Sequence, residues 1–144
     1  MKTVEQVLRG KAGVIWSTTP DSSVFDSLQL MAEKNVGALL VLEAEKLVGI
    51  FSERDYARKV ILKGKSSRDI RINEIMTTKV FHVRPAQTIE ECMHLMTTRH
   101  IRHLPVLEGE KLVGLISIGD VVKGIISEQQ DTINHLEEYI TGRR

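Results

Sequence analysis

Apolar and polar positions follow two different periods along this chain, and the periods change in the same order twice. A short stretch rich in β-branched and aromatic residues comes first, and a proline closes it. Apolar residues then recur at helical spacing, and two apolar runs joined by a short acidic turn follow. The pattern therefore predicts strand, helix, hairpin and helix in each half. The predicted elements are strands at 14–18 and 80–83, helices at 23–35 and 88–100, and second helices beginning near Glu53 and Ile118.

The two halves also match residue by residue, with an offset of 65 that places Pro20 on Pro85 without a gap as far as Asp55 on Asp120. The best block sets 39–49 on 104–114, where Glu, Glu, Lys and Gly recur at fixed offsets. Chance similarity between amphipathic elements would match apolar classes only. We therefore interpret the chain as an internal duplication.

Neither copy has the residues for a comfortable core of its own, because very small domains bury too little of their surface. We therefore expect the two copies to pack on each other about a pseudo-two-fold axis and to form two related clefts, where small ligands usually bind. The fold class is α+β, with the repeats packed through their sheets and a C-terminal helix. The predicted divisions are 3–62 for repeat 1, 63–72 for a polar linker, 73–127 for repeat 2, and 128–144 for the C-terminal helix and tail.

The motifs of these repeats resemble a known family, the tandem pair of CBS domains or Bateman module, in the form of a stand-alone bacterial-type protein. The first repeat carries this resemblance in 35–41 and 49–55, and the second in 99–106 and 114–120. Residues 73–77 are similar to the short helix that opens a CBS repeat. The resemblance implies a regulatory module that binds an adenosine nucleotide between its repeats: AMP first, with NAD, ATP and S-adenosylmethionine as alternatives.

Each repeat contains the pattern Gly-apolar-apolar-Ser-x-x-Asp, which puts Asp55 or Asp120 in the first turn of a helix that leaves a strand. A carboxylate there can accept hydrogen bonds from both ribose hydroxyls, and the helix N-terminus offers N–H groups to a phosphate. Ser52 with Asp55 and Ser117 with Asp120 equally fit a capping box, which requires no ligand. Both interpretations stay open from the spacing alone.

The resemblance implies that each cleft draws on both repeats. Arg84 stands where the first repeat has Thr19, so we expect the clefts to be unequal. Arg102 and His103 are the candidates for phosphate contact, since a guanidinium fork matches phosphate oxygens and an imidazole can donate; a solvated strand start is the alternative. The Asp120 cleft would use Thr19, Val24, Val36, Gly37, Ala38, Leu115, Ser117, Gly119 and Asp120, and the Asp55 cleft Ile50, Ser52, Arg54, Asp55, Arg84, Ile89, Ile101, Arg102 and His103.

Charge and composition narrow the classes further. A net charge of +1 gives no overall field for nucleic acid or an anionic membrane, and Asp69 interrupts the one basic stretch, at 59–71. The single cysteine and the absence of a signal-like or membrane-spanning run predict a cytoplasmic protein.

No residue pattern supports catalysis or metal binding. Cys92 lies on an apolar stripe and is predicted to be a buried structural thiol. The spacing of His94, His100 and His103 does not suit a metal site. The chain is therefore predicted not to be an enzyme. It is expected to form a homodimer and to alter its contacts with an unidentified regulated protein; the alternative is a ligand-free structural module for dimerisation or interaction.

Overall fold

The structure is a computed structural model that describes residues 1–11 and 13–141. It divides into two compact units, the central unit Val14–Phe81 and the terminal unit, which combines Met1–Gly13 with His82–Arg144. The mixed α+β class with two small sheets and a C-terminal helix confirms the prediction. Each unit is built on one repeat of the sequence.

The central unit contains a three-stranded sheet in the order β1-β2-β3, with β1 parallel and β3 antiparallel to β2. The elements are β1 (Ser17–Thr18), α2 (Val24–Lys34), β2 (Ala38–Glu43), β3 (Lys46–Ser52), α3 (Glu53–Tyr56) continued by a π-helical segment (Ala57–Ile61), and α4 (Ile72–Ile75). The core of this unit consists of apolar side chains from α2, β2, β3, the π-helical segment and α4, including Phe51 and Val60, together with Ile70 of the linker.

The terminal unit contains the antiparallel pair β4-β5. The predicted strand at 80–83 is wrong, since only a parallel bridge from Val83 to Val106 forms. In the central unit the Leu40 N–H donates to the Trp16 carbonyl. Pro105 occupies the position of Leu40 in the second repeat and has no N–H to donate. The elements are α1 (Val4–Arg9), α5 (Ile89–Arg99), β4 (His103–Glu108), β5 (Lys111–Ser117) and α6 (Ile118–Thr141).

The predicted helices α2 and α5 are confirmed, with N-caps at Ser23 and Thr88 and left-handed C-caps at Asn35 and His100. The spacing of Ser23 with Asp26 and of Thr88 with Glu91 predicts a capping box at each start, but only one half of each forms, in which the hydroxyl accepts the N3 amide. The sequence predicts a second helix of repeat 2 that begins near Ile118, and a C-terminal helix and tail over 128–144. Instead α6 runs unbroken from Ile118 to Thr141, and residues 142–144 of the predicted tail lie outside the described part of the chain.

The compact units do not coincide with the division by sequence repeats, because the segment before each repeat docks within the other unit. The Val4 N–H donates to the Gln87 carbonyl in the terminal unit, as the Ile72 N–H donates to the Ser22 carbonyl in the central unit. The linker is part of the same arrangement, since Ile70 is buried and accepts from the Val24 N–H. The charged linker side chains are exposed, as expected.

Candidate functional site

In the central unit, strand β3 ends at Ser52 and the chain turns directly into α3. The Asp55 N–H donates to Ser52 Oγ over 3.2 Å, and the Ser52 N–H donates back to Asp55 Oδ2 over 3.0 Å. This is a complete capping box, in which two orphan amides at the helix start are satisfied reciprocally. The pattern therefore fixes the Asp55 carboxylate against the end of its strand.

The second oxygen of Asp55 is occupied as well. Oδ1 accepts from Thr77 Oγ1 and is paired with Lys59 Nζ, both over 3.1 Å. Lys59 lies four residues after Asp55 and also donates to the Ile75 carbonyl over 3.0 Å. Thr77 exchanges two backbone hydrogen bonds with Ile50. Both carboxylate oxygens are thus bound by groups that belong to the fold of the central unit.

The terminal unit repeats the cap at the junction of β5 and α6. The Asp120 N–H donates to Ser117 Oγ over 3.1 Å, and the Ser117 N–H donates to Asp120 Oδ2 over 2.8 Å. The Ile118 N–H donates to the Arg102 carbonyl over 2.8 Å, just as the Glu53 N–H donates to the Gly37 carbonyl in the other unit. The framework around the two carboxylates is therefore the same.

The counter-cation of Asp120 comes from a different part of the sequence. Lys11, which follows α1, donates from Nζ to Asp120 Oδ2 over 2.7 Å and to the Leu115 carbonyl over 3.0 Å. The lysine side chain is 36% exposed and the aspartate 16%. Burial acts to raise the pKa of Asp120, but the Lys11 ammonium and the hydrogen bonds from Ser117 outweigh it and hold the pKa below its ordinary value.

Two further basic residues lie beside this carboxylate. His103 begins β4 and pairs with Ser117 across the hairpin, and Arg102 precedes it with an exposed side chain. Burial lowers the pKa of His103, and the positive charges of Lys11 and Arg102 add to this effect while Asp120 opposes it. Lys11, Arg102 and His103 are here called the basic triad: Lys11 contacts Asp120, His103 lies close enough for the charges of Lys11 and Asp120 to shift its pKa, and Arg102 adjoins His103. Two cations and a neutral imidazole that can donate a hydrogen bond can together bind an anion once the carboxylate is engaged elsewhere.

The remaining predicted site residues divide by burial. Val24, Ala38 and Ile89 are buried in the cores of their own units, so their side chains pack the fold. Arg54, Thr19, Arg84 and Gly119 are exposed, and Val36, Gly37, Ile50, Ile101 and Leu115 are half-buried. An open groove of about 550 Å³ in the central unit is lined by Val36 and Gly37 together with α2 side chains, Glu53 and Tyr56. The flat surface near Gly37 is therefore accessible, while Asp55 is not among the residues that line this groove.

Comparison with known proteins identifies the framework. The CBS domain family model matches residues 14–62 and 72–127. The chain belongs to the CBS-domain family. A mitochondrial CBS domain-containing protein of Arabidopsis thaliana, CBSX3, is 38% identical over 97% of this chain and 72% of its own length. CBS-domain proteins are generally regulatory modules without catalytic activity.

Solved structures of CBS-domain proteins share this fold. A CBS-domain protein from Burkholderia ambifaria is 52% identical, with a TM-score of 0.86 over 89% of this chain and 96% of that one. A second CBS domain pair, 19% identical with a TM-score of 0.77 over 89% of this chain and 98% of that one, was crystallised with 5′-methylthioadenosine and S-adenosyl-L-methionine. At that identity, the likeness establishes the fold alone.

The CBS repeats hold a cysteine and several histidines that could carry other chemistry. Cys92 is fully buried, and burial followed by the nearby Glu91 and Glu90 charges raises its pKa to about 11, which disfavours a nucleophilic thiolate. Across residues 1–11 and 13–141, no group of three or more His, Cys, Asp and Glu side chains has the arrangement of a metal site. No helix within the same ranges is long and apolar enough to cross a membrane.

Sequence reasoning missed the partners of both carboxylates. Lys59 had a local signal, because Asp and Lys four residues apart on a helix face each other. Thr77 lies in the motif that opens the second repeat, yet its hydroxyl donates to Asp55 of the first repeat. Lys11 stands 109 residues from Asp120 and has no counterpart at the repeat offset, so no spacing in the sequence points to it.

Proposed function

We propose that this CBS pair is a regulatory module that binds an adenosine nucleotide, AMP or a related compound such as NAD, and changes its contacts with another protein in response. The observation that carries the proposal is the half-buried Asp120 carboxylate, held at a strand-to-helix junction beside the basic triad. Ribose hydroxyls would donate to the carboxylate, and phosphate oxygens would accept from the cations. The proposal assigns no catalytic step.

The arrangement supports a nucleotide because it offers groups that are complementary to both a ribose and a phosphate. A carboxylate accepts from a vicinal diol, whereas Arg102 offers a planar fork of donors to a phosphate. The N-terminus of the 24-residue α6 adds a positive dipole end next to Asp120. A CBS pair of the same fold with adenosine compounds bound supports this ligand class.

Titration calorimetry of ligand-stripped protein against AMP, ATP, NAD, NADH and S-adenosylmethionine tests the proposal. We expect at least AMP or NAD to bind, and a ligand at 100 times its dissociation constant to add about 2.7 kcal/mol to the free energy of unfolding. Replacement of Asp120 by Ala should weaken binding by about tenfold or more, because two charge-assisted hydrogen bonds are lost.

Two further variants control this experiment. Asp120→Asn keeps the size of the side chain and should also weaken binding, whereas Asp131→Ala removes an exposed carboxylate of the same helix and should leave affinity unchanged. The proposal is contradicted if none of the five ligands binds, or if both Asp120 variants bind with unchanged affinity. The first of these results would favour the second candidate, a ligand-free interaction module.

One observation bears on oligomerisation in both candidates. The outer half of α6 presents apolar side chains that the single chain leaves uncovered: Ile133, Leu136, Tyr139 and Ile140, of which Tyr139 is 85% exposed. Such a face stabilises a protein when another surface covers it. It supports the expectation that the chain forms a homodimer, and a homodimer is compatible with either candidate.

A further inference from the structure

The position of Lys11 has a consequence for the kind of ligand that Asp120 can accept. Its ammonium group occupies Asp120 Oδ2 and the Leu115 carbonyl, over 2.7 Å and 3.0 Å. A ribose that donates both hydroxyls to Asp120 competes with this ammonium for the carboxylate. Because Lys11 is 36% exposed and belongs to a short segment after α1, it can be displaced without unfolding an element.

Displacement is unfavourable unless the ammonium group gains another anion. Three charges shift the pKa of His103: those of Lys11 and Arg102 are positive, and that of Asp120 is negative. Once ribose hydroxyls replace the ammonium group on Asp120, Lys11 loses its direct contact with the carboxylate and lies near His103, whose neutral imidazole supplies no counter-charge. A phosphate supplies that counter-ion and adds charge-assisted hydrogen bonds, whereas an unphosphorylated nucleoside supplies none.

The corresponding carboxylate of the central unit lacks this arrangement. Lys59 lies on the same helical segment as Asp55 and also donates to the Ile75 carbonyl. Gly37 and Ala38 occupy the positions of Arg102 and His103 at the repeat offset. No cation comparable to the basic triad therefore adjoins Asp55 at those two positions.

We infer that Lys11 is a specificity-determining residue that makes the Asp120 element prefer phosphorylated adenosine ligands over the unphosphorylated nucleoside. The inference rests on the proposed function and adds the ligand class that Asp120 selects. Lys11 disfavours a ligand that takes the carboxylate, and a phosphate that pairs with Lys11 more than offsets this cost.

The test measures the dissociation constants of AMP and adenosine by calorimetry, in an Asp55→Asn background that isolates the Asp120 element. The protein that retains Lys11 should bind AMP more tightly than adenosine by about tenfold or more. Lys11→Met should weaken AMP by about tenfold and leave adenosine unchanged or tighter, because the competitor for Asp120 is gone. The ratio of the two constants should therefore collapse.

Two variants separate the position of Lys11 from its charge. Lys11→Arg keeps the positive charge and should preserve the preference for AMP. Arg9→Met removes an equal charge two residues away, where the arginine pairs with the exposed Glu5, and should change neither constant. If AMP binds and the ratio of the AMP and adenosine dissociation constants is the same in Lys11→Met, the role of Lys11 is overturned but the proposed function is not. If neither ligand binds the Asp55→Asn protein or the wild type, the proposed function is overturned as well.

Discussion

The Asp55 and Asp120 carboxylates lie on the same strand-to-helix framework and differ in what holds them. Asp55 is bound by Lys59 and by Thr77, which is itself hydrogen-bonded to the neighbouring strand residue Ile50. Asp120 is bound by the exposed Lys11 from the N-terminal segment. In the central unit the partners are part of the local fold, and in the terminal unit the partner is a side chain that can leave. Duplication thus preserved the cap while its second layer of contacts diverged.

This difference separates structural from ligand-facing roles. A carboxylate whose partners are fixed by backbone pairing stabilises its unit, and a ligand must break those contacts to use it. The two lysines are similarly exposed, Lys11 at 36% and Lys59 at 42%, and exposed ion pairs contribute little to stability. What distinguishes Asp55 is Thr77, whose hydroxyl is fixed by backbone pairing with Ile50. We therefore expect Asp120 to be the better ligand-binding group and Asp55 the better structural one.

The largest expected effect tests how firmly each unit holds the segment that docks against its hairpin, Met76 and Thr77 in the central unit and α1 in the terminal unit. A Cβ added at Gly49 would lie 2.8 Å from Met76 Sδ and 3.0 Å from the Thr77 carbonyl oxygen, whereas at Gly114 it would meet only Leu8 methyl groups, at 2.8 and 2.9 Å. Overpacking costs about 1–3 kcal/mol. We expect Gly49→Ala to lose about 3 kcal/mol and Gly114→Ala about 1 kcal/mol, because a side chain can turn away and a hydrogen-bonded carbonyl cannot.

Urea unfolding followed by circular dichroism at one protein concentration measures both losses. Gly13→Ala is the control, since an added Cβ there meets nothing within 4 Å and stability should stay unchanged. Equal losses at the two positions would mean that Thr77 is no more rigidly held than Leu8, and the contrast between the units would fail.

A smaller effect is expected at the carboxylate partners themselves. Thr77→Val removes the hydroxyl that donates to Asp55 and should cost about 1 kcal/mol, the usual worth of a partly buried hydrogen bond. Lys11→Met removes an exposed ion pair and should cost about 0.5 kcal/mol or less. The same unfolding assay measures both, and a larger loss for Lys11→Met would reverse the assignment of structural and exchangeable partners.

Sequence patterns were sufficient for the fold because they reflect local physics. Helical spacing with Ser23 and Thr88 at the starts located α2 and α5 to within a residue. The predicted strand at 80–83 does not form, because Pro105 in the neighbouring strand β4 has no backbone N–H to donate. The docking of α1 and α4 was also missed, since backbone hydrogen bonds between distant segments leave no residue-type signal.

The candidate site was predictable only in its first layer. The Ser-x-x-Asp spacing predicts a capping box, and both reciprocal hydrogen bonds form in each unit, between Ser52 and Asp55 and between Ser117 and Asp120. Their ribose role remains a prediction. The cations that distinguish the two carboxylates depend on tertiary contacts, and for Lys11 a single side chain bridges 109 residues.

The smallest expected effect is a pH dependence that only the terminal unit should contribute. His103 stands where the central unit has Ala38, and burial, followed by the charge of Lys11, lowers its pKa in the folded state. Because the unfolded chain then binds more protons, the contribution of His103 is fully present above its unfolded pKa and is lost as pH falls through about 6.5 toward the lower folded value. Asp120 should not contribute in this window, since its own lowered pKa moves its losses to more acidic pH.

We therefore expect the free energy of unfolding of the wild type to fall between about pH 7 and pH 5, and His103→Gln to reduce that fall. Urea unfolding at a series of pH values measures it, with His94→Gln, a substitution on α5 away from this site, as the matched control. A wild type that is equally stable at both ends of the range would contradict the burial of neutral His103 beside Lys11. If His103→Gln keeps the full wild-type pH dependence of the free energy of unfolding, another group binds the proton and this distinction between the units is lost.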